Sequence, residues 1–227
     1  RFRERGIPVV LGGIHATVLP EEARLHADSV VVGEAESVWE SVLSDLSGCR
    51  LKPLYRSERQ VDLTRSPIPR FELLANKPYR IVWVQTSRGC PHDCGFCCAS
   101  RVYGKRYRHK TVEQVMTEVQ AVRKAHPRAL IGFADDNLFC DREYSRRLLD
   151  ALINVKVKWI GQSDVSIARD PGLLRSIRKS GCVVLLTGFE SISESNLRGL
   201  DSSNWKMNRL KEYSGGIQAI QGAGIGL

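Results

Sequence analysis

The sequence predicts an α/β protein in two pieces: the back part of an open α/β domain, followed by an incomplete barrel of βα units. Three observations predict it. Short apolar runs alternate with segments whose apolar positions step by three and four. Glycines fall just past several of the apolar runs, and Thr or Asp caps open the amphipathic segments. A proline-punctuated stretch separates the two series.

In order along the chain, Ile7–Leu11 reads as a buried strand, with Gly12 and Gly13 where the backbone must turn tightly. Pro20-Glu21-Glu22-Ala23 opens a short helix. Ser29–Val32 is a second apolar strand, ending at Gly33. From Glu34, the positions Ala35, Val38, Trp39, Val42, Leu43 and Leu46 trace one helix face that stops near Gly48. Residues 1–49 therefore read as one domain piece. Residues 50–80, with Pro53, Pro67, Pro69 and Pro78, read as a linker, and 81–227 as the βα series.

In that series, strands are expected at Ile81–Thr86, Ala129–Ala134, Lys158–Ser163 and Val183–Leu186. Thr111 with Gln114 three residues on forms a capping-box pattern ahead of Val112, Val115, Met116, Val119 and Val122. Asp141 caps the next helix, carrying Tyr144, Leu148, Leu149 and Leu152. Asp170 with Pro171 opens a third, closed by Gly181, and a fourth is expected over Met207–Gln221. Four parallel strands cannot close a barrel, and Gly224–Leu227 reads as the start of a fifth, so a fragment cut at both ends is expected.

The chain has 227 residues, 42% of them apolar and 26% charged, which is a globular balance. No apolar run approaches the roughly 18 residues of a membrane span and none reads as a signal peptide, so a cytoplasmic protein with no transmembrane segment is expected. The formal charge is +9. Five cations, Arg101, Lys105, Arg106, Arg108 and Lys110, stand in one stretch with Tyr103 and Tyr107. Such a stretch can bind nucleic acid, but a solvated connection is the favoured reading, and nucleic acid is disfavoured as a partner.

Seven cysteines is an odd number, and without a secretory signal it favours metal or redox chemistry over a disulfide scaffold. Cys90-Pro-His-Asp-Cys94-Gly-Phe-Cys97 has the spacing C-x3-C-x2-C just after a strand. Such a loop lets three thiolates converge on a four-iron cluster and leaves one iron open. Zinc would need a fourth ligand, for which Cys98 or His92 stands nearby. Cys49, Cys98, Cys140 and Cys182 are expected as small, wholly or partly buried residues.

The segment Thr86-Ser-Arg-Gly-Cys90 through Cys97, with Phe96 before the third cysteine, resembles the signature of radical S-adenosylmethionine enzymes. The resemblance implies a [4Fe-4S] cluster on Cys90, Cys94 and Cys97 whose open iron takes the amino and carboxylate groups of S-adenosyl-L-methionine. It places the neighbourhood of Phe96 against the adenine. Asp135, in Phe133-Ala-Asp-Asp-Asn137, would take the cofactor's ammonium. Glu190, in Gly188-Phe-Glu-Ser191, and Gln162, at the ends of later strands, would face the same mouth.

Gly12-Gly13-Ile14-His15-Ala16-Thr17 and Gly33-Glu34-Ala35-Glu36 resemble the last part of the cobalamin-binding domain that precedes the barrel in one subgroup of this family. Gly12, Gly13 and Gly33 would then lie at strand ends, where a nucleotide tail can approach. His15 is read as a loop residue rather than a cobalt ligand. Together these resemblances imply a cobalamin-binding α/β piece followed by a truncated radical S-adenosylmethionine partial barrel. The implied activity is a cobalamin-dependent methyltransferase working through a 5′-deoxyadenosyl radical. Its substrate would be a small molecule, lipid or peptide, and its electrons would come from a reductant such as flavodoxin or ferredoxin. The alternatives are a cobalamin-dependent radical cyclase or oxidoreductase, a transfer-RNA methylthiotransferase, and a non-catalytic metal-binding module.

Overall fold

A computed structural model describes residues 1–74 and 77–227; residues 75 and 76, inside the expected linker, lie outside the described residues. The chain divides into two compact units, one of residues 1–62 with 98–104, the other of 63–97 with 105–227.

The first unit runs β1 (Val10–Leu11), α1 (Ile14–Val18), α2 (Pro20–His26), β2 (Ser29–Val32), α3 (Trp39–Ser47) and β3 (Leu54–Arg56). Its three strands form one parallel sheet with β2 in the centre. Every residue of β2 is buried because helices cover both faces, which is why the strand reads as a continuous apolar run rather than an alternation. Val30 and Val32 pack with Ala16, Ala23 and Ala27, while Val31 packs with Val42 and Tyr55.

Three expectations change in this unit. The first strand shortens to Val10–Leu11, with Ile7 left exposed. The helix expected from Glu34 splits into a 3-10 turn (Ala35–Ser37) and α3, and Trp39, Leu43 and Leu46 are exposed while Val42 is buried. The stretch read as a linker supplies β3, too short to show a period, and anchored by the buried Tyr55, whose hydroxyl donates to Asp45 at 2.8 Å. A further short helix, α4 (Ala99–Val102), belongs to this unit, where Gln60 donates to the Tyr103 carbonyl at 3.1 Å.

In the second unit, β4 (Ile81–Val84) leads into β5 (Ser87–Arg88), which pairs antiparallel with β6 (Arg108–His109) across the cysteine loop. Then follow α5 (Val112–Ala125), β7 (Leu130–Phe133), α6 (Arg142–Val155), β8 (Trp159–Ser163), α7 (Pro171–Lys179) and β9 (Cys182–Thr187). The strands β4, β7, β8 and β9 lie side by side, all parallel. Gly226 bridges Val184 in parallel, the beginning of the expected fifth strand.

Each expected cap is formed. Thr111 and Gln114 close the capping box of α5, and Asp141 and Asp170 accept from the backbone amides of Tyr144 and Leu173. The core lies between the sheet and these helices, where Val82, Val84, Ile131, Phe133, Trp159 and Leu185 meet Val119, Leu148, Leu152 and Ile177. The expected fourth helix breaks up. A short α8 (Glu194–Leu197) precedes α9 (Trp205–Asn208), a 3-10 turn (Leu210–Glu212) and α10 (Tyr213–Gly222). Gly216 lets α10 pack tightly: a Cβ there would sit 2.8 Å from a Val165 methyl group. Among the described residues, no helix is long and apolar enough to cross a membrane.

Candidate functional site

The parallel sheet of the second unit delivers its carboxyl ends to one side, and a cavity of about 290 Å³ opens there. Cys90, Cys94 and Cys97 line it. Their loop is held at several points. Gly89 takes a φ of 91°, and the Gly95 amide donates to the Leu200 carbonyl at 2.7 Å. Asp93 accepts from the Ser202 amide at 3.1 Å and hydroxyl at 2.5 Å, and from Lys105 at 2.9 Å. The hydrogen bonds from Ser202 and Lys105 hold the Asp93 carboxyl well below the usual range.

The three thiols have unequal surroundings. A hydrogen bond from Cys140 holds Cys90 down, to about 7, against its burial. Burial pushes Cys94 up, opposed by the Lys206 ammonium. Among the described residues, no three His, Cys, Asp or Glu side chains close on a single ion. Three thiols from one short loop match a four-iron cluster that keeps one iron open, whereas a mononuclear zinc site would need a fourth ligand. All seven cysteines are free thiols; Cys182 is buried, Cys98 and Cys140 partly so, and Cys49, expected to be at least partly covered, is exposed just past α3.

Phe96, Gln162 and Glu190 line the same cavity, so strand ends far apart in sequence meet the cysteine loop there. Phe96 is 59% exposed, an aromatic face with little packed against it. Asp135 is the exception, and its placement corrects the expectation. It is fully buried beneath the site and accepts from the Thr86 amide at 3.2 Å, the Thr86 hydroxyl at 2.7 Å and the Ser87 hydroxyl. Burial pushes its carboxyl up to about 6 despite these bonds. It secures the backbone that leads into the cysteine loop, while the neighbouring Asp136 lines the cavity.

The sequence reading singles out the carboxylates of this segment and assigns the role to Asp135 rather than Asp136; it misses Asn137, Asp164 and Lys206, all on the cavity wall. Both aspartates lie past the end of β7, where the backbone is no longer a strand, so its alternation does not tell which of them faces the cavity. Lys206 sits on a one-turn helix after an irregular loop, and no periodicity marks it.

The cations of the basic stretch are partly engaged inside the second unit. Lys110 is buried and paired with Glu118 at 2.6 Å, and Lys105 bonds Asp93.

In the first unit, Gly12 and Gly13 follow β1 and Gly33 follows β2, as expected. Gly13 has a φ of 93°, and a Cβ there would meet nothing within 4 Å, so a ligand can approach this backbone closely. At Gly33, with a φ of 87°, a Cβ would meet that of Ser57 at 3.1 Å, and its amide donates to Thr17 Oγ1 at 3.0 Å. Packing accounts for Gly33. His15 lies on α1 rather than in a loop, 3.5 Å from Glu22.

A family model described as the Radical SAM superfamily matches residues 84–226. Bacteriochlorophyllide d C-12(1)-methyltransferase of Chlorobaculum tepidum is 30% identical over 220 residues, covering 94% of this chain and 48% of that protein. Hopanoid C-2 methylase of Rhodopseudomonas palustris is 26% identical over 242 residues, covering 100% of this chain and 46% of that protein. The chain thus spans about half the length of these curated relatives. Among solved structures, the cobalamin-dependent S-adenosylmethionine radical enzyme OxsB, with aqua-cobalamin and S-adenosylmethionine bound, matches with a TM-score of 0.79 at 16% identity. That match covers 99% of this chain and 36% of OxsB, and shows a shared fold.

Proposed function

Because this chain belongs to the radical SAM superfamily, we propose that it forms part of a cobalamin-dependent methyltransferase that binds a [4Fe-4S] cluster and S-adenosyl-L-methionine. One observation carries the reading: Cys90, Cys94 and Cys97 open on the same cavity as Phe96, Gln162 and Glu190. The bound groups would supply one-electron cleavage of a sulfonium, a 5′-deoxyadenosyl radical and a methyl carrier. The protein's own residues bind and orient. Cys90, Cys94 and Cys97 would hold the cluster as thiolates, and with three protein ligands the cluster would retain an iron able to take the amino and carboxylate groups of S-adenosylmethionine. Phe96 offers its exposed ring to the adenine. Asp136, Gln162 and Glu190 offer polar contacts at the ends of three strands. The open backbone at Gly13, next to Gly12 at the end of β1, would give cobalamin a place of close approach.

Methyl transfer is favoured over cyclisation because both relatives described above are named for methyl transfer. The substrate would be a small molecule, lipid or peptide, and a flavodoxin or ferredoxin would serve as reductant.

Electron paramagnetic resonance of anaerobically reconstituted, reduced protein tests the core of this reading. The expected result is a four-iron signal that changes on adding S-adenosylmethionine. Bound zinc without acid-labile sulfide would overturn it, and a cluster signal indifferent to S-adenosylmethionine would reduce it to electron transfer.

A further inference from the structure

At the amino ends of β4 and β7, the ends away from the cysteine loop, another cavity of about 590 Å³ lies between residues 77–80 and 125–129. It shares no residue with the cavity of the three cysteines. Its two walls are pinned together where the Leu130 amide donates to the Arg80 carbonyl at 2.9 Å. Lys77, Arg80 and Arg128 line it, and none of its lining residues is acidic. All three cations are exposed, and among the described residues none of them has a carboxylate partner. The His126 Nε2 is buried in the wall with no hydrogen-bond partner among the described residues.

The positive charge continues across the sheet. The Ile131 amide donates to the Lys158 carbonyl at 3.0 Å, which brings the entry of β8 beside that of β7. Residues 77–80, 123–129, 156–158 and 178–181, which lead into the four parallel strands, contain no Asp or Glu. Helix ends explain part of this, since Arg123 and Lys124 in the last turn of α5 complement its carbonyl end. Lys77, Arg80 and Arg128 lie outside the helices, and gathering them around one cavity costs repulsion that no carboxylate there offsets. A bound anion would offset it. Two guanidinium forks and an ammonium suit a phosphate group, whose tetrahedral oxygens accept from several directions and carry more than one charge. A planar, singly charged carboxylate would leave cations uncompensated.

We infer that the cavity between residues 77–80 and 125–129 is a phosphate-binding site, with Arg80 and Arg128 as its principal ligands and Lys77 completing the charge. The phosphate group belongs to a soluble compound or to the headgroup of an anionic lipid, and either is held at the end of the strands away from the cysteine cavity. The inference does not depend on what that other cavity binds.

Isothermal titration calorimetry of the anaerobically reconstituted chain with inorganic phosphate tests the site. Sedimentation with phosphatidylcholine vesicles, with and without phosphatidic acid, tests the headgroup as the source. Wild type is compared with Arg80→Gln, Arg128→Gln and Lys179→Gln, all exposed positions, with thermal midpoints to verify folding. The two arginine variants are each expected to weaken binding about tenfold, the worth of one charge-assisted hydrogen bond. Lys179→Gln removes the same charge ahead of β9, two strands from β7, and is expected to weaken binding less than about twofold. Phosphate bound without retention on either vesicle supports the site with a soluble ligand. Retention on phosphatidic acid vesicles that the arginine variants lose supports it with a headgroup. Wild type that binds neither would overturn the inference. Equal losses in Arg128→Gln and Lys179→Gln would do the same, because a diffuse surface field and not a site gives that result.

Discussion

His92 Nε2 lies 3.2 Å from Asp164 Oδ2, which ties the residue midway between Cys90 and Cys94 to the carboxyl end of β8. The same oxygen accepts from Asn137 Nδ2 at 2.7 Å, and Oδ1 accepts from the Ser166 amide at 2.8 Å. Burial alone would raise the Asp164 carboxyl, but the bonds from His92, Ser166 and Asn137 outweigh it and hold the group well below the usual range. On the other side the imidazole packs against Trp205, ring centroids 4.4 Å apart. One carboxylate thus joins the cysteine loop to the segments that follow β7 and β8.

Replacing it should loosen that loop. Asp164→Ala strands three donors at a largely buried position, and a loss of about 2–4 kcal/mol in unfolding free energy is expected. Urea denaturation measures the loss, and iron release to a chelator reports the loop. Iron released at the wild-type rate would show that the carboxylate does not hold the cysteine loop.

Asp135 makes stability depend on pH in a defined window. Its carboxyl titrates near 3.8 in the unfolded chain and at about 6 in the folded one. Between those values the folded state binds the extra proton, so its contribution is greatest at low pH and falls as pH rises from about 4 to 6. The total change is about 3 kcal/mol, with no further change above that window. In Asp135→Asn this slope should disappear, although the variant is less stable because its amide cannot accept all three bonds from Thr86 and Ser87. Urea midpoints at intervals of half a pH unit, for both proteins, supply the difference curve. Parallel curves would remove Asp135 as the source.

The cysteines divide into two groups by position. Cys90→Ala, Cys94→Ala and Cys97→Ala should each abolish the reconstituted four-iron signal. Cys98→Ala and Cys140→Ala should retain full iron and sulfide content, because they lie outside the three-cysteine set that lines the cavity. Loss of the cluster in Cys140→Ala would instead make the thiol beside Cys90 a ligand.

Gly181 joins α7 to β9 with a φ of 101°, and a Cβ there would stand 1.9 Å from the Val157 carbonyl oxygen. Gly181→Ala should therefore cost at least about 3 kcal/mol, since backbone must move on both sides of the contact. A thermal midpoint within a degree or two of wild type would contradict this.

Much of the βα series was legible because its signals are local. A Thr or Asp cap, a proline in the first turn, and a glycine after the last turn act within a few residues, and the apolar period of α5 and α6 is set by the faces they bury. Where the signal was short or its partner distant, the reading failed. Leu54–Arg56 carries no period of its own and becomes a strand only by pairing with β2. Trp39, Leu43 and Leu46 follow a helical period yet lie on an exposed face of the unit. The expected single helix over Met207–Gln221 gave way because α9 carries Lys206 to Gly188 and Glu190, while Gly216 brings α10 against Val165.

By itself, the sequence determined the α/β class, the helix caps and the three-cysteine loop, because backbone capping, side-chain period and ligand spacing operate over a few neighbouring residues. Tertiary structure alone decided which carboxylates face the cavity and which are buried beneath it. Asp135 and Asp136 are chemically equivalent neighbours just past the end of β7, and the fold turns the first inward to hold Thr86 and Ser87 and the second to the cavity wall. The Gly188–Glu190–Lys206 arrangement likewise exists only after folding, when an ammonium buried by α9 reaches acceptors more than a dozen residues away and must be paired where it lies.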